Sequence, residues 1–305
     1  MSRSSFVTSL QIINRMFDPK KKFKRNLSVV IIVLFSVSTL CLFIPKVDRI
    51  VWRVISIAEF RVLKIFSKFT SKHDPKRLAS GHYLASHRGV FSENIPDNSG
   101  KSIALAAQKG FPYIELDVSF SKDFVPFIFH DSNLKSKTKY DKLTGEAYWK
   151  EIQSLAMSDG QKILTLNDFL STYARLFKGI IFDIKTENNY FSEKANSFCN
   201  AIEKHDLRSE IYVIGRPCGV LTSIKRRNIN IKAGCEDQGL LYNFITRKDL
   251  ISLNYSTQFS FLEQYFCREL DLTLILWTIN DPEILRELDY LDNTIILTDL
   301  DLPVY

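Results

Sequence analysis

The sequence contains no C-x-x-C pair; its five cysteines, Cys41, Cys199, Cys218, Cys235 and Cys267, are widely spaced, and Cys41 sits in an apolar run. That spacing argues against a zinc site and offers no disulfide framework, leaving open a single bridge among the last four. Internal repeats and low-complexity tracts are also missing. Disorder is excluded as the main state, since 305 residues at 45% hydrophobic can bury one domain core with an appendage to spare. Nor is there a basic globular part. Residues 1–80 hold 16 Lys and Arg against 4 acids, net +12, so beneath the overall +7 the remaining residues net −5. The excess base surrounds an apolar segment, which points to a membrane surface as partner and away from nucleic acid.

Charge is absent altogether from Asn26 to Pro45, where Val, Ile, Leu and Phe dominate. Twenty residues of helix span roughly 30 Å, one hydrocarbon core. A cleaved signal peptide is disfavoured, because the run follows 25 residues of polar chain and ends in Phe43-Ile44-Pro45 without a small-residue cleavage pattern. The expected order is a basic segment at 1–25, a transmembrane helix at 26–45, a basic linker at 46–77 and a globular domain at 78–305. The Lys20–Arg25 cluster favours a single-pass protein with its C-terminal domain on the extracytoplasmic side, although bases on the far side weaken that asymmetry. From Val47 to Phe69 those bases alternate with apolar residues at helical spacing. The linker therefore reads as an amphipathic helix that lies on anionic headgroups or packs against the domain.

After Ser80 short apolar runs alternate with helix-like segments, the pattern of parallel β/α units in an α/β fold. Strands are expected near 82–87, 112–118, 125–130, 179–185, 211–215, 230–234, 272–278 and 294–298, with Ile251–Tyr255 competing for a place. Helices are expected at Ser99–Lys109, at Leu166–Phe177 after a Thr165 cap, at Ser192–His205 and at Pro282–Leu291. Eight such strands make a (β/α)8 TIM barrel, whose chemistry gathers at the C-terminal strand ends. Polar residues fall there: His87-Arg88, Glu115 and Asp117, His130-Asp131, Asp183 and Lys185. Residues two apart on a strand share a face, so Glu115 pairs with Asp117 and Asp183 with Lys185. Such charges among Ile, Leu, Val and Phe would be costly without compensation, and a bound divalent cation is the simplest compensation.

Taken in order, several fragments resemble the glycerophosphodiester phosphodiesterase family. They are His87-Arg88-Gly89, Pro96-Asp97-Asn98-Ser99, Tyr113-Ile114-Glu115-Leu116-Asp117-Val118, Lys122-Asp123 with Pro126, and His130-Asp131. The likeness continues through Ile184-Lys185, Trp277-Thr278-Ile279-Asn280 and Ile295-Ile296-Leu297-Thr298-Asp299. The resemblance implies a metal-dependent hydrolase acting on glycerophosphodiesters, with Glu115, Asp117 and Asp183 holding one Mg2+ or Ca2+. It also implies His87 and His130 as acid and base, and Arg88 and Lys185 on the phosphate. Asn98 would orient the phosphate or cap the following helix, and Trp277 would wall the substrate or pack the core. A lysophospholipid or phosphatidylglycerol headgroup, a phosphoglycerol polymer, or an idle phosphodiester-binding barrel are the alternatives. The chain departs from the family at Asp183, where Glu is usual, and at Asp97 and Ser99 beside the motif Asn. It departs again at Phe124, where Gly often follows the Lys-Asp pair and where the turn is therefore expected to differ.

Overall fold

The computed structural model describes residue 57 and residues 84–301, apart from 187–189, 237, 239–241, 244, 245, 247, 260–262, 265, 266, 268, 269 and 289–292. The expected segments 1–25, 26–45 and 46–77 lie outside the described residues, save for Ile57. Among the described residues no helix is long and apolar enough to cross a membrane.

Eight parallel strands form a near-closed barrel: β1 (Leu84–His87), β2 (Tyr113–Phe120), β4 (Gly179–Lys185), β5 (Glu210–Arg216), β6 (Lys232–Ala233), β7 (Leu250–Asn254), β8 (Thr273–Trp277) and β9 (Thr294–Thr298). Their order is β6-β5-β4-β2-β1-β9-β8-β7, and β1 joins β9 in parallel. The seam between β6 and β7 is bridged by the parallel Glu236–Ser252 pair and by Asp249 N–H donating to Ala233 O at 3.1 Å.

The expected strand at 125–130 is not a barrel strand. It is β3 (Pro126–Ile128), antiparallel to β2 and off the barrel path. The chain length between them decides this: residues 121–125 suffice for a hairpin, whereas a parallel crossover needs a dozen or more. The vacant eighth place goes to β7, which is the competing run near 251–255.

Phe124 stands at the hairpin tip with φ +62°, the left-handed conformation that costs a non-glycine residue about 1–2 kcal/mol. The turn therefore keeps a glycine-type backbone with a phenylalanine in it, where a changed turn was expected.

Strand alternation sorts the core. On β2 every residue is buried; Ile114, Leu116, Val118 and Phe120 face the surrounding helices, while Tyr113 joins Ile181, Tyr212, Ile275 and Leu297 inside the barrel. Glu115 and Asp117 continue the inward face of Tyr113, and Asp183 continues that of Ile181, so the carboxylates sit above an apolar floor.

Among the described residues six α-helices accompany the sheet: α1 (Gly100–Gln108), α2 (Trp149–Ile152), α3 (Leu166–Thr172), α4 (Phe191–Glu203), α5 (Cys218–Arg227) and α6 (Pro282–Leu288). α1 begins at a capping box in which Ser99 and Ser102 bond each other's backbone N–H. α4 buries Ala195, Phe198, Cys199 and Ile202, one stripe at helical spacing. α5 was not anticipated; it follows Pro217 directly and closes on Lys225-Arg226-Arg227, which complement its C-terminal dipole. Cys218 at its start forms a disulfide with Cys235, while Cys199 and Cys267 are buried and outside any disulfide.

Candidate active site

The site is built at the C-terminal ends of β1, β2 and β4. β1 ends in a His-Arg-Gly turn where Arg88 and Gly89 both take positive φ. A Cβ on Gly89 would lie 2.6 Å from Ser102 at the start of α1, so only glycine lets the turn press against that helix. The Arg88 N–H donates to Glu115 O at 2.9 Å, and its carbonyl accepts from Asn98 N–H at 2.9 Å, which locks the turn to β2 and to the loop before α1.

Glu115, Asp117 and Asp183 are all buried, and each offers an oxygen within 4.8 Å of the others. Pairing of β2 with β4 sets Asp117 directly beside Asp183. Glu115 Oε2 and Asp183 Oδ1 are buried without a hydrogen-bond partner, and buried Asp117 Oδ1 has the Lys185 ammonium 3.1 Å away. Three buried oxygens of hard-ligand type, converging from two strands and two of them orphaned, fit a divalent cation, which would satisfy all three at once. At β5, Gly215 has φ +134°, and a Cβ there would come within 2.9 Å of Asp183 Oδ1. The glycine thus keeps that oxygen clear.

Electrostatics separate the three acids. Burial, and then the charges of Asp117 and Asp183, push the Glu115 carboxyl well above the usual range. Burial also raises Asp183, partly offset by Lys185. Asp117 is pushed upward by burial too, but Lys185, Arg88 and His130 together with Asn98 hold it below its ordinary value. Arg88 Nε lies 3.0 Å from Asp117 Oδ2, and Lys185 Nζ lies 3.1 Å from Asp117 Oδ1 while also bonding Asp183. Asn98, buried and at φ +56°, donates to Asp117 Oδ2 at 2.8 Å and accepts from Asp117 N–H at 3.1 Å. Its amide therefore fixes Asp117, and the helix cap falls to Ser99.

The imidazoles border this cluster. His87 Nδ1 is 2.6 Å from Asp299 Oδ1 at the end of β9, and its Nε2 is 3.8 Å from Glu115 Oε2. Burial pushes Asp299 up, but bonds from His87 and Asn280 bring it below its ordinary value, so it is ionised and can only accept. The Nδ1 atom therefore carries the proton, and Nε2 faces the carboxylates. Asn280 completes the chain, donating to Asp299 Oδ2 at 2.8 Å and accepting from Asp299 N–H at 2.8 Å. His130 is held the same way, with Nδ1 2.9 Å from Asp131 Oδ1. It lines a cavity of about 480 Å³ together with Asp183, Lys185, Lys194, Arg216 and Glu236.

The model of the glycerophosphoryl diester phosphodiesterase family matches residues 87–213. These residues belong to that family. Among curated relatives, a probable glycerophosphodiester phosphodiesterase 2 of Mycobacterium tuberculosis is 34% identical over 30% of this chain and 34% of its own length. The glycerophosphocholine phosphodiesterase GPCPD1 of Mus musculus is 28% identical over 48% of this chain and 22% of its own. The chain thus spans about a third or less of the length of these two relatives. Likeness in fold extends further. A phosphodiesterase of Oleispira antarctica, solved with the product sn-glycerol-3-phosphate, superposes with TM-score 0.63 at 22% identity, covering 70% of this chain and 92% of that one. A glycerophosphodiester phosphodiesterase of Parabacteroides distasonis gives TM-score 0.64 at 21% identity, covering 73% and 94%.

Within the glycerophosphoryl diester phosphodiesterase fold, the sequence-expected residues fall into two groups. Glu115, Asp117, Asp183, Arg88, Lys185 and Asn98 form one hydrogen-bonded and charged cluster, with His87 against Glu115 and His130 on the cavity wall beside Asp183. Trp277 stands apart, its indole N–H donating to Ser252 Oγ at 2.9 Å. Asp299, Asn280 and Asp131 were not assigned roles from sequence. Each follows a strand at its C-terminal side, and that position was the available signal.

Proposed function

We propose that the chain is a membrane-anchored, divalent-cation-dependent hydrolase that cleaves glycerophosphodiesters to an alcohol and glycerol 3-phosphate. The observation that carries this reading is the convergence of three buried carboxylate oxygens beside Arg88, Lys185 and two carboxylate-held imidazoles. Glu115, Asp117 and Asp183 would hold the cation, Mg2+ or Ca2+, whose contribution is to offset charge on the phosphoryl oxygens. Arg88 and Lys185 supply fixed positive charge to the same oxygens. One imidazole takes the proton from the attacking glycerol hydroxyl while the other gives a proton to the departing alkoxide, and water then opens the cyclic phosphate to glycerol 3-phosphate with the two roles exchanged. Asp299 and Asp131 hold each ring with Nε2 free, the nitrogen that performs the transfer.

The uncharged run 26–45 supports anchoring, and the Lys20–Arg25 flank supports an extracytoplasmic domain. The Cys218–Cys235 disulfide agrees with that side, where disulfides persist. A full-length preparation incubated with glycerophosphocholine and Mg2+ or Ca2+ tests the reading. Release of glycerol 3-phosphate that stops on adding chelator is the expected result. A chain that binds the cation and turns over no phosphodiester, soluble or lipid, would be an idle barrel instead.

A further inference from the structure

Phe124 occupies a backbone conformation suited to glycine, half-buried at a hairpin tip and outside the hydrophobic core clusters. A strained aromatic in such a place is retained for what its side chain meets. Its ring lies 5.6 Å from that of Tyr190, which is 55% exposed and precedes α4. Across the same hairpin, Lys122 Nζ sits 4.8 Å over the ring of Tyr148, itself 41% exposed, and Lys150 Nζ sits 5.7 Å over it. Residues 119–120 at the base of the hairpin and Thr186 before Tyr190 line the active-site cavity, as does exposed Leu143. The strip Tyr190-Phe124-Lys122-Tyr148-Lys150 therefore borders the mouth of the site.

Resting on the function proposed above, we propose that this aromatic and basic rim docks on the anionic lipid surface into which the N-terminal segment is anchored, presenting the cleft to substrate carried in the bilayer. Tyrosine bodies seek the interface between headgroup and acyl chain, and exposed lysines seek anionic headgroups. The acids beside the strip are solvent-accessible but already hydrogen-bonded: Asp123 accepts from Ser121 Oγ and Trp149 N–H, and Glu151 accepts from Lys142, Tyr140 and Tyr148 N–H. Glu146 is exposed but lines the cleft. The tether allows the geometry. Thirty-eight residues separate Pro45 from Leu84, about 57 Å even as continuous helix. The longest barrel strand has eight residues, about 27 Å. The chain can therefore pass from the bilayer to the far end of the barrel, where β1 begins.

The test is hydrogen–deuterium exchange on the full chain in phosphatidylcholine vesicles carrying phosphatidylglycerol, in phosphatidylcholine alone and in detergent micelles. Slowed exchange over 121–125, 147–150 and 190 in the anionic vesicles is expected, and the Phe124→Gly, Tyr190→Ser double variant should lose it. Glycine is at ease at that φ, so the variant should fold. Leu176 and Ile229, 54% and 74% exposed at the opposite end of the barrel, are the controls. Protection centred there, protection at no segment, or rim protection in micelles that grows with protein concentration and so reports a second copy, would each overturn the proposal. In turnover, the double variant should lose activity on lysophosphatidylglycerol in vesicles and keep it on soluble glycerophosphocholine. Equal rates for variant and wild type on both would also overturn it. Should the wild type hydrolyse neither substrate, the proposed function fails while the exchange pattern still decides the docking.

Discussion

The two halves of the barrel divide the labour unequally. β1 to β5 carry Glu115, Asp117 and Asp183, both imidazoles, Arg88 and Lys185, and the family match of residues 87–213 falls in this half. β6 to β9 close the ring; apart from Glu236, which follows β6 on the cavity wall, their contribution to the site is indirect, since Asp299 and Asn280 reach across to hold His87. The groups proposed to meet the phosphate and its cation lie mostly on or just after β1, β2 and β4, which pair directly. A group that only orients a ring can come from wherever the barrel happens to close. β9 lies beside β1 for that reason.

The sharpest test of the division is to remove chemistry from the first half. His130→Ala and Glu115→Gln are each expected to lower kcat/KM on a glycerophosphodiester by about 10³-fold or more, with the fold intact by circular dichroism. Near wild-type rates in either variant would remove the site assignment. In the second half, Asp299→Asn should cost less, roughly 10²-fold in kcat, because the imidazole remains while its preferred tautomer is lost. A displaced pH–rate profile must accompany that loss, since a merely structural defect would lower the rate without moving the profile. A loss matching His130→Ala would erase the distinction between acting and orienting groups.

The first half was legible because its signals are local. Glu115 with Asp117, and Asp183 with Lys185, announce themselves by period-two spacing within single apolar strands. The His87–Asp299 bond joins residues 212 apart and exists only once β9 pairs with β1, so no local pattern contained it. The misplaced strand at 125–130 was avoidable in principle, because a five-residue connection cannot make a parallel crossover. Phe124 shows the opposite limit. Sequence marked it as a departure, but only the backbone shows that the glycine conformation was kept and the side chain changed.

Asn98 probes how far support matters within the first half itself. It binds Asp117 twice and touches neither imidazole through its hydrogen bonds. Asn98→Ala should weaken cation affinity by about 10- to 100-fold, read by calorimetric titration, and leave the rate at saturating cation much less affected. An unchanged affinity would mean that β2 alone positions Asp117.

The smallest expected effect concerns stability, and it separates the carboxylate cluster from the rest of the barrel. Without a cation, burial and mutual repulsion raise Glu115 and Asp183 above their unfolded values. The folded chain then holds more protons than the unfolded one, so stability falls as pH rises from the usual carboxylate range toward neutrality. Asp117 is lowered and runs the other way, contributing stability that is lost only in more acidic solution. Each pH unit by which a carboxyl is displaced upward costs about 1.4 kcal/mol once it ionises, or roughly 3–6 °C of Tm at this domain size. In chelator, Tm should therefore drop between about pH 5 and pH 8, and Mg2+ or Ca2+ should flatten the curve by replacing the protons. Glu115→Gln should flatten it in chelator as well, because an amide has no proton to lose. Parallel curves with and without cation, or a Glu115→Gln curve as steep as wild type, would show that the three acids are not coupled through a shared ion.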